Sequence, residues 1–427
     1  MNLVDECVFV ETLERRICVD LIFVTGSYPL GYGETFIENE IEYLAETFEH
    51  VYIYTCNPPM CKEINRRVCP NNVKVFESNN NPYKKFLFKS LVNLGFWREV
   101  TSLIGSSSFF KKCSAALYFT ENVMCSSDNI NEFLQQIDLN QKNKVVVYSY
   151  WLSRMGMTAL KIKSALLKRN INAKVYARCH RFDLYQEKAH NSYLPFQQYM
   201  ISQFDMVFPC SEQGEKYLKH QFPNYKEKIR CSYLGVPDYY LNKQHKRTPF
   251  VIVSCSRVVP IKRVKLIADA LREIQSEIIW THFGDGELFE ELKQYINIEL
   301  PENIKVNLPG QLSNNEIYKY YQENNVSLFI NVSSSEGLPV SIMEACSFGI
   351  PIIATDVGGT KEIVSDGYNG YLLSENFESK VLACAIEKIY SMEENNYELL
   401  CCHSRNKYLN SFSAEKNYCD FCSILSQ

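Results

Sequence analysis

The chain has 427 residues, of which 46% are apolar and 22% charged, and its formal net charge is −4. That length suits two or three domains, and the apolar share excludes a mostly disordered chain. So small a net charge provides no basic excess for neutralising phosphates, and no nucleic-acid partner is expected.

The first twenty residues place acids inside an apolar stretch and carry no basic leader, so no signal peptide is expected. No run approaches the roughly 20 apolar residues of a membrane-spanning helix. A cytosolic chain is the expectation. The 17 cysteines, scattered from Cys7 to Cys422, suit reduced thiols better than a disulfide scaffold.

Short β-branched runs then alternate with longer amphipathic stretches, the pattern of βαβ units and parallel sheets. In the first half, Ile17–Thr25, Val51–Thr55, Val145–Tyr150, Lys174–Cys179 and Met206–Pro209 read as strands. Helical periodicity falls between them at Phe36–Phe48, Met155–Lys168 and Glu212–His220. The segment Tyr83–Cys113 stands apart. Lys84, Lys85, Lys89, Arg98, Lys111 and Lys112 accompany a single acid, Glu99, with aromatic residues interleaved. Such a mixture suits an interfacial segment on an anionic membrane. Ordinary amphipathic helices packing on the first sheet fit the same composition.

The polar stretch Pro237–Thr248 reads as a linker, and the pattern restarts after it. Strands are expected at Phe250–Ser256, Ile278–Phe283, Val326–Val332 and Pro351–Thr355. Helices are expected at Val264–Glu273, Leu288–Tyr295, Asn314–Gln322 and Val340–Phe348. No internal sequence repeat is visible. The fold class is α/β: two doubly wound domains facing each other across a cleft, with ligands outside the carboxyl ends of the strands.

The densest chemical signal follows the strand that ends near Val332. A small-residue loop, Ser333–Ser335, leads to Glu336, Gly337, Leu338, Pro339 and a helix from Val340 that carries Glu344. The helix N-terminus favours an anion such as a diphosphate. Two carboxylates beside that anion suit hydroxyl donors, a sugar and a ribose, because ionised carboxylates only accept hydrogen bonds. Taken alone, they read better as a loop charge and a solvated helix face, since exposed glutamates are common. Arg257 and Lys262 stand where an earlier strand gives way to a helix, and offer a planar fork and a point charge to phosphate oxygens. Gly284-Asp285-Gly286 reads as a tight structural turn. The pair Cys419 and Cys422, with Cys401-Cys402-His403 upstream, lacks a second Cys-x-x-Cys, and no zinc site is expected.

Together, Ser256-Arg257 with Lys262, Gly284-Asp285-Gly286, Gly310, the Glu336–Glu344 pair and the tail from Pro351 to Leu373 resemble the family-4 retaining glycosyltransferases of GT-B fold. The first half joins the likeness. Tyr28–Phe36 resembles the family's glycine-containing first loop, Ala177–Tyr185 its His-x-x-Asp segment, and Ser232–Val236 also fits. The colanic acid and amylovoran transferases of bacterial exopolysaccharide synthesis are the nearest named group.

The resemblance implies an acceptor-binding Rossmann-like domain over 1–240, a donor-binding one over 250–400, and a final helix within 401–427 that crosses back. It implies that Arg257 and Lys262 hold the donor diphosphate and stabilise the leaving group, with no metal or cofactor required. Glu336, with the backbone of Gly337, Leu338, Pro339 and Val340, holds the donor sugar, and Glu344 the ribose. Gly31 and Gly33 let the first loop approach the phosphates. His180 faces the donor sugar, while Asp183 and Arg181 orient this segment or meet the acceptor. Arg181 and Arg263 stand where many relatives carry glycine.

The function so implied is transfer of a hexose-type sugar, with retention, from a nucleotide sugar to a glycan acceptor carried on lipid, at the inner face of a membrane. Two rivals stay open: a nucleotide-sugar epimerase of the same architecture, and a non-catalytic subunit that has kept a nucleotide pocket.

Overall fold

The computed structural model describes residues 17–31, 33–57, 66–78, 86–139, 144–240 and 247–427. Tyr32 of the first loop, residues 83–85 of the basic aromatic segment and 241–246 of the expected linker lie outside the described residues.

The first sheet contains β1 (Ile17–Thr25), β2 (Phe48–Thr55), β3 (Val73–Glu77), β4 (Lys144–Ser149), β5 (Ala173–Cys179) and β6 (Met206–Pro209). The second contains β7 (Phe250–Cys255), β8 (Ile278–Phe283), β9 (Ile304–Gly310), β10 (Leu328–Asn331), β11 (Ile352–Thr355) and β12 (Gly370–Leu373). Their orders are β3-β2-β1-β4-β5-β6 and β12-β11-β10-β7-β8-β9. All the pairings are parallel. Numbered from its own first strand, each sheet reads 3-2-1-4-5-6. The repeat that the sequence hides is a repeat of topology.

The central strands form because they are apolar on both faces. From Val19 to Thr25 every residue of β1 is buried, which a strand between two helical layers requires. Three strands escape the sequence pattern: β3, β9 and β12. All three are sheet edges, and in β3 and β9 most residues are at least partly exposed. One apolar core surrounds the first sheet, and two line the faces of the second.

The expected boundary at residue 400 falls inside a helix. Glu394–Ser411 is continuous and packs on helix Val340–Ser347 of the second half. The crossing comes later, at Phe412 and Ser413. There Val236 N–H donates to Phe412 O and Ala414 N–H to Val236 O, both at 3.0 Å. Gly235 is needed at this point, since a Cβ on it would lie 2.4 Å from Ala414 Cα. The last helix, Ala414–Ser426, lies against helix Glu38–Thr47 and sets Phe421 over the Arg178 guanidinium, 4.1 Å from Cζ to the ring centre.

Candidate active site

In each sheet the chain leaves its central strand in both directions. β1 pairs with β2 and β4, and β7 with β8 and β10. Crevices outside such switch points are where doubly wound sheets bind ligands. The loops after β1, β4 and β5 carry Gly31, Gly33, Trp151 and His180. Those after β7 and β10 carry Arg257, Lys262 and Glu336. The two sets meet. Arg181 Nε donates to Ser335 Oγ at 2.8 Å, and a Cβ on Gly337 would lie 3.2 Å from that of Arg181. A second bridge is Glu362, whose carboxylate accepts from the backbone N–H of Glu212 and Gln213 and from Tyr233 Oη.

The first-half loop is organised by a residue to which the sequence reading gave no role. Glu34, at φ 57°, turns its carboxylate inward to accept from the N–H groups of Gly26, Ser27 and Tyr28 and from Trp151 Nε1. From outside, Arg67 donates to the carbonyls of Gly31 (3.0 Å) and Gly33 (2.6 Å). The two glycines therefore sit in a braced loop. The only sequence signal for Glu34 was its place in the quoted first-loop motif.

His180 follows β5 and is enclosed by aromatic rings, with Trp151 at 4.6 Å, Tyr150 at 4.8 Å and Phe36 at 5.9 Å between centroids. Burial, helped by Arg178, lowers the imidazole to about 3, so the ring is neutral at physiological pH. One ring nitrogen engages the Tyr150 backbone, while Nε2 is buried without a hydrogen-bond partner. Asp183 is also buried, and its two oxygens accept from the N–H of His180 and Leu152, each at 2.8 Å. Burial pushes its carboxyl up to about 7, against those N–H groups. With 1% of its surface exposed, Asp183 spends both carboxylate oxygens on holding the His180 and Leu152 backbone.

On the second side the loops after β7 and β10 are zipped together. Ser334 N–H donates to Ile261 O at 2.9 Å, and Lys262 Nζ lies 2.6 Å from Glu336 Oε1, which Asn331 Nδ2 also approaches at 3.3 Å. Arg263 completes the seam. Its guanidinium donates to the carbonyls of Val332 (2.8 Å), Ser333 (3.3 Å) and Glu375 (2.7 Å). It sits at φ 50°, a left-handed conformation that glycine adopts without steric cost. Its side chain ties the loops after β10 and β12 to the turn that carries Lys262.

Arg257 is exposed beside this seam, on a loop fixed by the Gly284–Gly286 turn. A Cβ on Gly284 would lie 1.9 Å from Ser256 O, so the turn closes directly onto the Arg257 loop. Pro339 forms the N-cap of helix Val340–Ser347, one residue before the expected first turn, with Gly337 and Leu338 leading into it. Glu344, on this helix, is buried, and its Oε1 accepts from Tyr318 Oη at 2.8 Å. Burial pushes its carboxyl up to about 7, with the Tyr318 hydroxyl pulling the other way. Tyr318, from helix Asn314–Glu323, had no sequence signal beyond an apolar position on that helix.

This is the GT-B fold, two Rossmann-like sheets with facing carboxyl ends. Among solved structures, Anabaena Alr3699/HepE in complex with UDP and glucose superposes with a TM-score of 0.61 at 16% identity, over 95% of this chain and 99% of that one. Within the fold, residues 241–399, a little over a third of the chain, match the family model for glycosyl transferases group 1. Among curated proteins, the GtfA subunit of a Streptococcus gordonii UDP-N-acetylglucosamine–peptide N-acetylglucosaminyltransferase is 26% identical over 212 residues, 47% of this chain and 41% of that protein. WcaL of Salmonella typhimurium, assigned to colanic acid biosynthesis as a glycosyltransferase, is 23% identical over 270 residues, 61% of this chain and 65% of that protein. The chain thus spans from 41% to 65% of the length of these relatives.

Proposed function

We propose that the chain is a retaining glycosyltransferase. It moves a hexose-type sugar from a nucleotide-diphosphate donor to a glycan acceptor carried on lipid, during assembly of an exopolysaccharide, capsule or other surface polysaccharide. The observation that carries this reading is the seam of Lys262, Glu336 and Arg263, opposed across the cleft by Arg181 and His180.

In this reading Arg257 and Lys262 grip the diphosphate and stabilise charge as it leaves, which requires no metal ion. Glu336 accepts from sugar hydroxyls and Glu344 from the ribose. His180, neutral and with Nε2 unpartnered, meets the donor sugar with a nitrogen that neither repels nor neutralises the phosphates. The acceptor attacks the face from which the phosphate departs, and the leaving phosphate takes its proton. No side chain acts as general base.

The exposed basic and apolar surface of residues 87–118 supports a lipid-borne acceptor and a peripheral position on a membrane. It is anchored to the loop that begins at His180. Glu99 accepts from Tyr193 Oη at 2.6 Å and from Phe196 N–H at 2.9 Å.

The test is a thermal-shift screen with UDP, GDP, ADP, CMP and dTDP, since a ligand bound only by the folded chain raises its melting temperature. Stabilisation by one nucleotide, lost in Arg257→Ala, is expected. No shift on folded protein would overturn the donor site. Conversion of the donor sugar without any acceptor would favour the epimerase reading instead.

A further inference from the structure

Behind the exposed face lies a cavity of about 580 Å³ that the donor chemistry does not use. Its volume falls in the range of small-molecule sites, about 300–1,000 Å³. The walls are largely apolar, with Val123, Met157, Leu160 and Phe196 among them, but two cations, Arg98 and Lys161, also line it. Lys161 is unusual. Its one hydrogen bond, 3.0 Å long, goes to the Ser127 hydroxyl, and among the described residues no carboxylate pairs with it. An ammonium group desolvated without a counter-charge is costly unless an anion joins it.

The one acid on the wall, Glu99, is already engaged by Tyr193 and Phe196. The cavity therefore presents an apolar interior with net positive charge. Its outer wall, helix Leu94–Ser102, is shared with the exposed face. Arg98 lines the cavity, while Leu94 (76% exposed) and Trp97 (50%) are directed outward, beside Phe88 (77%) and Phe110 (85%). Lys89 shares a helix with Phe88, and Lys111 and Lys112 share one with Phe110, so basic and apolar side chains alternate on elements that suit an anionic leaflet.

We infer that the cavity is a lipid site: one anionic phospholipid, from a membrane lying against residues 87–118, places its phosphate at Lys161 and its chain among Val123, Met157, Leu160 and Phe196. The inference rests on the membrane reading of this face and is independent of the nucleotide site.

The experiment uses the whole chain and two probes. The first is a short-chain phosphatidylglycerol below its micelle concentration, with thermal stabilisation as readout. The second is co-sedimentation with phosphatidylcholine vesicles, with or without phosphatidylglycerol. Wild type is expected to be stabilised by the monomeric lipid and not by inorganic phosphate. Lys161→Met should lose that shift and bind mixed vesicles about fivefold more weakly, the factor for one cation at an anionic surface. Lys161→Arg should keep both. Trp97→Gln with Phe88→Gln should weaken vesicle binding and leave the response to monomeric lipid intact. Unchanged lipid stabilisation in Lys161→Met, with its own melting temperature near wild type, would overturn the proposal. So would equal stabilisation by inorganic phosphate, which would make the occupant a free anion. Nucleotide shifts are read in the same samples, so failure of the lipid site and failure of the donor site are separable.

Discussion

Lys262 Nζ and Glu336 Oε1 stand 2.6 Å apart and join the turn after β7 to the loop after β10. Glu336 is only 8% exposed, so the Lys262 ammonium is its compensating charge within the protein. A diphosphate arriving at Lys262 would draw on the same cation and leave Glu336 to accept from sugar hydroxyls. Glu336→Gln should therefore bind nucleoside diphosphate within about threefold of wild type while transfer falls about a hundredfold or more. Lys262→Met should weaken nucleotide binding about tenfold or more, the loss of one charge-assisted hydrogen bond. Calorimetry beside an initial-rate assay checks both. The opposite pattern would exchange the two assignments.

Glu344 is predicted to make nucleotide binding pH-dependent. Its carboxyl is pushed up to about 7 from the ordinary 4.5, first by burial, with the Tyr318 hydroxyl holding it down. Only the ionised form accepts from both ribose hydroxyls, so affinity should rise as pH climbs from 6 towards 8 and then level. Binding near pH 7 should also release a proton, visible as a dependence of the calorimetric heat on buffer. The stability sign is the reverse. A raised folded pKa favours the protonated form, so this group's contribution is present below about 4.5 and is lost as pH rises through about 7. Glu344→Gln should flatten both profiles and weaken binding. Tyr318→Phe removes a donor to the ionised form and should move the midpoint upward with the fold intact. A pH-independent affinity in wild type would remove Glu344 from the ribose site.

What the sequence revealed follows burial. Strands β1, β8 and β6 were legible to the residue because interior parallel strands, and well-covered ones like β6, concentrate apolar and β-branched residues. β3, β9 and β12 were not, because an edge strand is half wet and Ile304–Gly310 includes Asn307, Pro309 and a glycine at φ 81°. At the site, motifs gave the residues that sit on one loop, such as Glu336 to Val340. They could not give contacts between loops. Arg263 reaches Val332 and Glu375, 69 and 112 positions away, and Glu34 reaches Trp151 across 117. Asp183 was visible as a motif residue, but its burial and its two backbone partners were not.

Arg263 gives a third prediction because its backbone and its side chain do separate work. The left-handed conformation costs a non-glycine residue about 1 kcal/mol, while the guanidinium contributes hydrogen bonds to three carbonyls. Arg263→Ala keeps the backbone cost and loses the bonds, so it should destabilise the fold by about 1–3 kcal/mol. Arg263→Gly loses the bonds but removes the cost, and should be the more stable of the two by about 1 kcal/mol. Both should weaken nucleotide binding together, since both release the turn that carries Lys262. Denaturant unfolding with calorimetry on the two variants decides it. Equal nucleotide affinity in wild type and both variants would show that Lys262 is placed without this tether.

A fourth concerns the crossing helix. Arg178 and Glu40 are fully buried, with Nη2 3.6 Å from Oε2, and Tyr148 Oη bridges them by donating to Glu40 Oε1 and accepting from Arg178 Nε. Burial pushes the Glu40 carboxyl up, with Arg178 and the Tyr148 hydroxyl pulling it down. Phe421 of the last helix closes the site from above. Removing one member leaves a buried charge unpaired, so Arg178→Met should destabilise the fold by about 3–5 kcal/mol. Adding Glu40→Gln should recover a large part of that loss, because the unpaired carboxylate is what costs. Phe421→Ala opens the pair to water and removes a large buried ring, about 3 kcal/mol or more by the range for aromatic truncation. It should also loosen the last helix, read as faster amide exchange over 414–426 while the second sheet stays protected. If exchange rose equally in both halves, the crossing helix would be part of one cooperative unit rather than a separable clasp on the first sheet.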